Sequence, residues 1–290
     1  MIRLRFNNLI WLFLMVGCAT GWAKAQSRSH LLEDNYKGRV KTVRIEIAKI
    51  VDSSNGPTEI ERVVVSNTSY DKRGNETSAT VNDRDGSRKY SLRWTHLYDD
   101  KGREIRTEYL DSNGQLTNTG ITHYREDGYE RGQYNPNGTV NHVFEAFLDE
   151  NGKLVRDSRK YQNGKSYEHL YKYDKQGRLI ERINREIGGS TIDKSTWTYD
   201  DHGNQTSFIV EKADGTVVPM FKFQYEYDSQ GHIVVRRDYD PDGSMFMKWN
   251  YSYEFDDQGN WIKLTAIRQS YSKHQVRYDR EVTYRFITYY

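Results

Sequence analysis

The chain has 290 residues, 43 Lys and Arg against 41 Asp and Glu, a formal net charge of +2 and a mean hydropathy of −0.93. That balance offers no basic face for nucleic acid, and 13% aromatic residues exclude a disordered chain, which lacks them. A polar chain so rich in Tyr and Trp implies thin sheets with one buried face.

The first element is an export signal over residues 1–25. Arg3 and Arg5 precede the apolar run Leu9–Val16, and Ala23-Lys24-Ala25 offers small residues for cleavage before Gln26. The run is too short to span a bilayer as a permanent helix. The lone cysteine, Cys18, ends Leu14-Met15-Val16-Gly17-Cys18, which is similar to a lipoprotein signal. Met15 is atypical there, so cleavage after Ala25 is preferred and a lipid anchor at Cys18 is the alternative. The mature segment, 26–290, then has no thiol for a disulfide, a metal site or a nucleophile. Loss of Arg3, Arg5 and Lys24 leaves 40 basic against 41 acidic residues, a formal charge of −1.

An opening strand, Val40–Val51, leads into a tandem repeat covering about 60–260. Tyr-Asp-x-x-Gly occurs as Tyr70, Asp71 and Gly74; Tyr98, Asp99 and Gly102; Tyr173, Asp174 and Gly177; Tyr199, Asp200 and Gly203; and Tyr227, Asp228 and Gly231. Phe255-Asp256-Asp257-Gln258-Gly259 and Leu148-Asp149-Glu150-Asn151-Gly152 keep the frame, and Tyr124-Arg125-Glu126-Asp127-Gly128 is a degenerate copy. A second turn sits inside each unit, as at Asp83–Gly86, Asp111–Gly114, Asn135–Gly138, Asn163-Gly164, Asp214-Gly215 and Asp240–Gly243. Asp or Asn first, Pro second (Pro136, Pro241) and Gly fourth suit a type I turn followed by a left-handed residue, which closes a bulged hairpin.

Between turns the pattern has period two. Tyr90, Leu92, Trp94, His96 and Tyr98 alternate with Lys89, Ser91, Arg93 and Thr95, and Met247, Trp249, Tyr251, Tyr253 and Phe255 with Lys248, Asn250, Ser252 and Glu254. These are half-buried strands. The fold expected is all-β: tandem antiparallel hairpins in one domain, 26–290, forming a meander of roughly sixteen strands. An aromatic face cannot stay open in water, so the sheet should curl into a coil, spiral or half-closed barrel.

Tyr173-Asp174-Lys175-Gln176-Gly177-Arg178-Leu179 strongly resembles the YD repeat of RHS-type bacterial proteins and teneurins, as do Tyr98–Arg103 and Tyr199–Asn204. The resemblance implies a spiral of hairpins in an extracytoplasmic setting. In large members the repeats form a shell around a C-terminal toxin or other domain. Here the repeats run to Tyr290, and Asp240-Pro241-Asp242-Gly243, which echoes the cleavage signal before toxin domains, falls in phase as a turn with Ser244 in place of leucine. The chain is more similar to short exported YD-repeat proteins.

No residue pattern points to a cofactor, a metal site or a catalytic centre. The histidines at 30, 96, 123, 142, 169, 202, 232 and 274 form no close ligand pair, and His96 and His169 occupy aromatic-face positions. The repeat aspartates supply one carboxylate each where the turn needs it, not a converging calcium cage. Carboxylates are plentiful, so a glycosidase-like pair stays open. The reading is a non-catalytic periplasmic or cell-surface module, structural or binding an envelope glycan or another envelope protein. The alternatives are an outer-membrane β-barrel or a carbohydrate-active enzyme.

Overall fold

The computed structural model describes residues 36–54, 56–272 and 275–290. Residues 1–25, read above as an export signal, together with Cys18, His30 and His274, lie outside the described residues. The strands are β1 (Val40–Ser53), β2 (Gly56–Tyr70), β3 (Glu76–Asn82), β4 (Arg88–Tyr98), β5 (Glu104–Leu110), β6 (Leu116–Arg125), β7 (Gly128–Tyr134), β8 (Val140–Leu148) and β9 (Leu154–Tyr161). They continue as β10 (Ser166–Tyr173), β11 (Leu179–Glu186), β12 (Thr191–Tyr199), β13 (Gln205–Lys212), β14 (Val217–Tyr227), β15 (Ile233–Tyr239), β16 (Met245–Phe255), β17 (Trp261–Ser272) and β18 (Gln275–Tyr289).

Each strand pairs antiparallel with the next, and β18 pairs with β1 from Val40↔Tyr289 to Ile50↔Arg280. The all-β antiparallel meander is therefore present, but the expected spiral of roughly sixteen strands is corrected to a closed barrel, with eighteen strands among the described residues. The cause lies outside the repeat. β1 precedes the first copy and β18 follows the last, and each is an edge whose N–H and C=O groups would otherwise be unpaired. Pairing them removes both edges at once.

The meander sends the two kinds of turn to opposite rims. The Tyr-Asp-x-x-Gly turns share one rim with the start of β1 and the end of β18, and the second turns form the other rim. In the first copy, the Gly74 amide donates to Asp71 O at 2.9 Å, the Asp71 amide donates to Asn75 O at 2.8 Å, and Gly74 has φ of +85°. The same bond pair recurs at Asp99, Asp149, Asp174, Asp200, Asp228 and Asp256. A left-handed residue there sets the bulge that starts each following strand. The Tyr124 copy departs from this: Arg125 pairs with Gly128, leaving a two-residue turn at Glu126-Asp127. Gly128 has φ of +154°, and a Cβ there would lie 1.9 Å from Ala146 O.

Register keeps the two faces distinct. His96 opposes Thr107 and Trp94 opposes Tyr109 on the aromatic face, while Thr95 opposes Glu108 and Leu97 opposes Arg106 on the charged face. Apolar packing gathers in two clusters. Tyr36, Val40, Val43 and Tyr70, with Ile45, Ile287 and Tyr289, pack at the β1–β18 seam. Tyr129, Ala146 and Leu154, with Tyr124, Phe144, Leu148 and Tyr171, pack across β6 to β10. The largest fully buried side chains are Val40, Val43, Val282, Asp157, Asp238 and Ser195, half of them polar. This wall rests on hydrogen bonding as much as on apolar burial.

Candidate functional site

The repeat aspartates cap their own turns. Asp71 Oδ1 accepts from the Arg73 and Asn75 amides at 2.8 and 3.0 Å, and Asp228 Oδ1 accepts from the Gln230 and His232 amides, both at 2.9 Å. Those amide bonds hold Asp228 below the usual carboxylate range. The repeat tyrosines end the even-numbered strands and reach the preceding copy's turn. Their partner is the residue after that turn's glycine. Asn75 Nδ2 donates to Tyr98 OH at 2.5 Å, and Asn204 Nδ2 donates to Tyr227 OH at 2.8 Å. Where that residue is Arg103, Lys153 or Arg178, its cation lies over the ring of Tyr124, Tyr173 or Tyr199, at 4.2, 4.5 and 5.0 Å from the centroid. Where it is His232, it packs on the Phe255 ring at 4.6 Å. Burial, then the charges of Asp149 and Asp157, push Tyr173 up to about 12, so its hydroxyl stays a donor, here to Leu154 O at 2.8 Å.

The structure thus brings Tyr70, Asp71, Gly74, Tyr98, Asp99, Gly102, Tyr173, Asp174, Gly177, Tyr199, Asp200, Gly203, Tyr227, Asp228, Gly231, Asp256 and Gly259 to one rim. They are spread around it, one copy per hairpin, and do not converge on one point. The chain of rings around the rim was missed from sequence. Its signal was the position after the glycine of every copy but the degenerate one, which holds Asn, Arg, Lys or His (Asn75, Arg103, Lys153, Arg178, Asn204, His232, Asn260).

Inside the wall, polar groups on the aromatic face form closed clusters. His96 Nδ1 lies 2.6 Å from Glu104 Oε2 and its Nε2 lies 2.6 Å from Glu76 O. Arg131 crosses β6 to donate to Glu104 Oε1 at 2.8 Å and Thr107 Oγ1 at 3.1 Å. Gly120 permits the crossing, since a Cβ there would lie 2.7 Å from Arg131 Nη2. Burial works against ionised Glu104, but bonds from His96, Thr107 and Arg131 outweigh it and hold its pKa near 2. Asp157, 2% exposed, accepts from Tyr171 OH at 2.5 Å and lies 2.8 Å from His169 Nδ1. Arg236 Nε donates to Asp238 Oδ1 at 2.5 Å. These groups serve one another and lock neighbouring strands in register.

An open groove of about 490 Å³ runs along the charged face; its lining includes Thr198, Thr206, Ser207, Lys222, Gln224 and Tyr239, with Phe223 and Gly243 beside them. Only the β12–β15 register makes them neighbours: Thr198 opposes Ser207, Ser207 opposes Lys222, and Lys222 opposes Tyr239.

No family model and no curated protein matches the chain. Among solved structures it is similar to a porin-like protein from Bacteroides uniformis, at 12% identity and a TM-score of 0.44, over 87% of this chain and 99% of that one. A porin-like protein from Bacteroides vulgatus is 14% identical with a TM-score of 0.37, over 69% and 94%. The Photorhabdus luminescens Tc holotoxin pore is 12% identical with a TM-score of 0.29, and the matched part is 15% of that chain. Likeness at these scores carries no argument about what this chain does.

Proposed function

We propose that this protein is an exported, non-catalytic β-barrel of the cell envelope that binds its ligand on a wall bathed by water on both faces. The observation that carries the reading is the pairing of charges on both faces. Glu104–Arg131 and Arg236–Asp238 lie on the aromatic face. Lys172–Glu181, Lys194–Glu211 and Arg237–Glu226 lie on the charged face. An Arg or Lys facing mid-bilayer lipid costs about 2–4 kcal/mol, so neither face suits lipid. The shortest strands agree. β3, β5, β7 and β15 have 7 residues each. Tilted as in a barrel, such strands cover about 18 Å, short of the ~25 Å apolar band of membrane barrels. The Tyr-Asp-x-x-Gly turns support placing the chain among short exported YD-repeat proteins.

A second reading, an outer-membrane barrel, is favoured by closure itself, because a closed barrel with an even number of hairpin-connected strands is the architecture of that class. Purification decides between them. The first reading expects a monodisperse protein without detergent and no partition into liposomes. A requirement for detergent, with insertion into liposomes, would replace it with the second.

A further inference from the structure

We propose that the groove across β12–β15 binds a sugar bearing a carboxylate or phosphate. This rests on the reading of the barrel as a ligand-binding module, and names its site and its ligand class.

The groove brings together the groups such a ligand needs. Thr198, Thr206 and Ser207 form a hydroxyl ledge, with Thr198 Oγ1 2.8 Å from Thr206 Oγ1 and 2.7 Å from Ser207 Oγ. Each hydroxyl can donate once and accept twice, so the ledge keeps bonding capacity for sugar hydroxyls. Gln224 Oε1 accepts from Tyr239 OH at 2.7 Å. That bond orients the amide, whose two N–H donors have no partner among the described residues. Tyr239 adds an aromatic ring for the C–H face of a sugar. The lining residues also sit on paired strands rather than loops, so the site is preorganised.

Lys222 sets the charge of the ligand. Three cations on this face are paired, Lys194 with Glu211 at 2.7 Å, Arg237 with Glu226 at 2.5 Å and Lys263 with Glu254 at 2.8 Å, while Lys248, opposite Arg237, has no carboxylate within 4.0 Å among the described residues. Lys222 has no carboxylate within 4.0 Å among the described residues. An ammonium beside hydroxyls and a ring is a place for an acidic sugar, because a charge-assisted bond is about twice as strong as a neutral one.

Calorimetric titration of the purified protein with cellobiose, cellobiouronic acid and glucose 6-phosphate tests this. One or both acidic sugars should bind more tightly than cellobiose, and whichever does identifies the acid group. Lys222→Ala should weaken that sugar about tenfold and abolish its advantage, while Lys222→Arg should retain it. Equal binding of cellobiose and both acids, or an unchanged affinity in Lys222→Ala, overturns the groove assignment. If the protein still binds envelope polysaccharide with Lys222→Ala unaffected, only the groove falls. If the wild type binds neither these sugars nor envelope polysaccharide, the ligand-binding reading falls with it.

Discussion

The side-chain amide of Asn260 donates to the hydroxyl of Tyr289 at 2.8 Å and to Lys37 O at 2.8 Å, while its Oδ1 accepts from the Lys37 amide at 2.7 Å. The last copy of the motif thereby grips both ends of the described chain beside the seam. Asn260 is 4% exposed, so none of these bonds is readily replaced by water. Asn260→Ala should lower stability by about 2–3 kcal/mol. Asn204→Ala, at an internal copy where the amide serves Tyr227 alone among the described residues, should cost about 1 kcal/mol. Urea unfolding of the two variants measures the difference, and equal losses would deny the seam its special role.

The ring-to-turn contact should also appear as a coupling energy. Tyr227 OH accepts from Asn204 and donates to Asp200. A double-mutant cycle of Asn204→Ala with Tyr227→Phe should give about 0.5–1.5 kcal/mol. A cycle pairing Asn204→Ala with Tyr98→Phe, in another copy, should give a value near zero.

Glycine tolerance should differ sharply between turns. Gly128→Ala drives a Cβ to 1.9 Å from the Ala146 carbonyl oxygen, whereas Gly138, with φ of +82°, has nothing within 4 Å of its added Cβ. The first substitution should cost on the order of 3 kcal/mol or prevent folding. The second should cost about 1 kcal/mol, the conformational penalty alone. Thermal unfolding of the two variants separates steric clash from backbone preference.

The His96–Glu104–Arg131 cluster predicts a pH dependence. Glu104 is held near 2 against an ordinary 4.5, so its contribution is complete above 4.5 and is lost as pH falls toward 2. Burial disfavours protonated His96, but Glu104, the Glu76 carbonyl and the Asp71 charge outweigh it and raise its pKa above 6.5. The His96 contribution is therefore complete below 6.5 and is lost as pH rises through the raised value. Urea midpoints between about pH 2 and about pH 8 should peak on the weakly acidic side. Glu104→Gln should flatten both limbs, and a profile unchanged by it would remove the cluster from the account.

Turn chemistry was legible residue by residue: Asp71, Gly74 and their equivalents occupy the positions that the bulged turn demands. The partner of each ring was not. Tyr98 and Asn75 are 23 residues apart, and Asn204 and Tyr227 likewise, so only the folded register shows that they touch. Closure was the least legible feature. β1 and β18 carry no motif, and the Thr42 and Thr288 hydroxyls that meet at 2.6 Å are 246 residues apart. The groove was hidden for a related reason, since Thr198, Ser207 and Lys222 each look like ordinary solvent-facing positions within their own strand.

Closure is tested most directly by a cross-link at that meeting point. Thr42→Cys with Thr288→Cys places two thiols on directly paired strands, within the ~4.4–6.8 Å Cα separation a disulfide accepts. Mild oxidation of the purified double variant should close an intramolecular disulfide rapidly. The product should run as a compact species on a denaturing gel, while Thr42→Cys with Thr265→Cys should not cross-link. Free, alkylatable thiols in the Thr42–Thr288 pair of an otherwise folded protein would mean that β1 and β18 are apart and that the barrel is open.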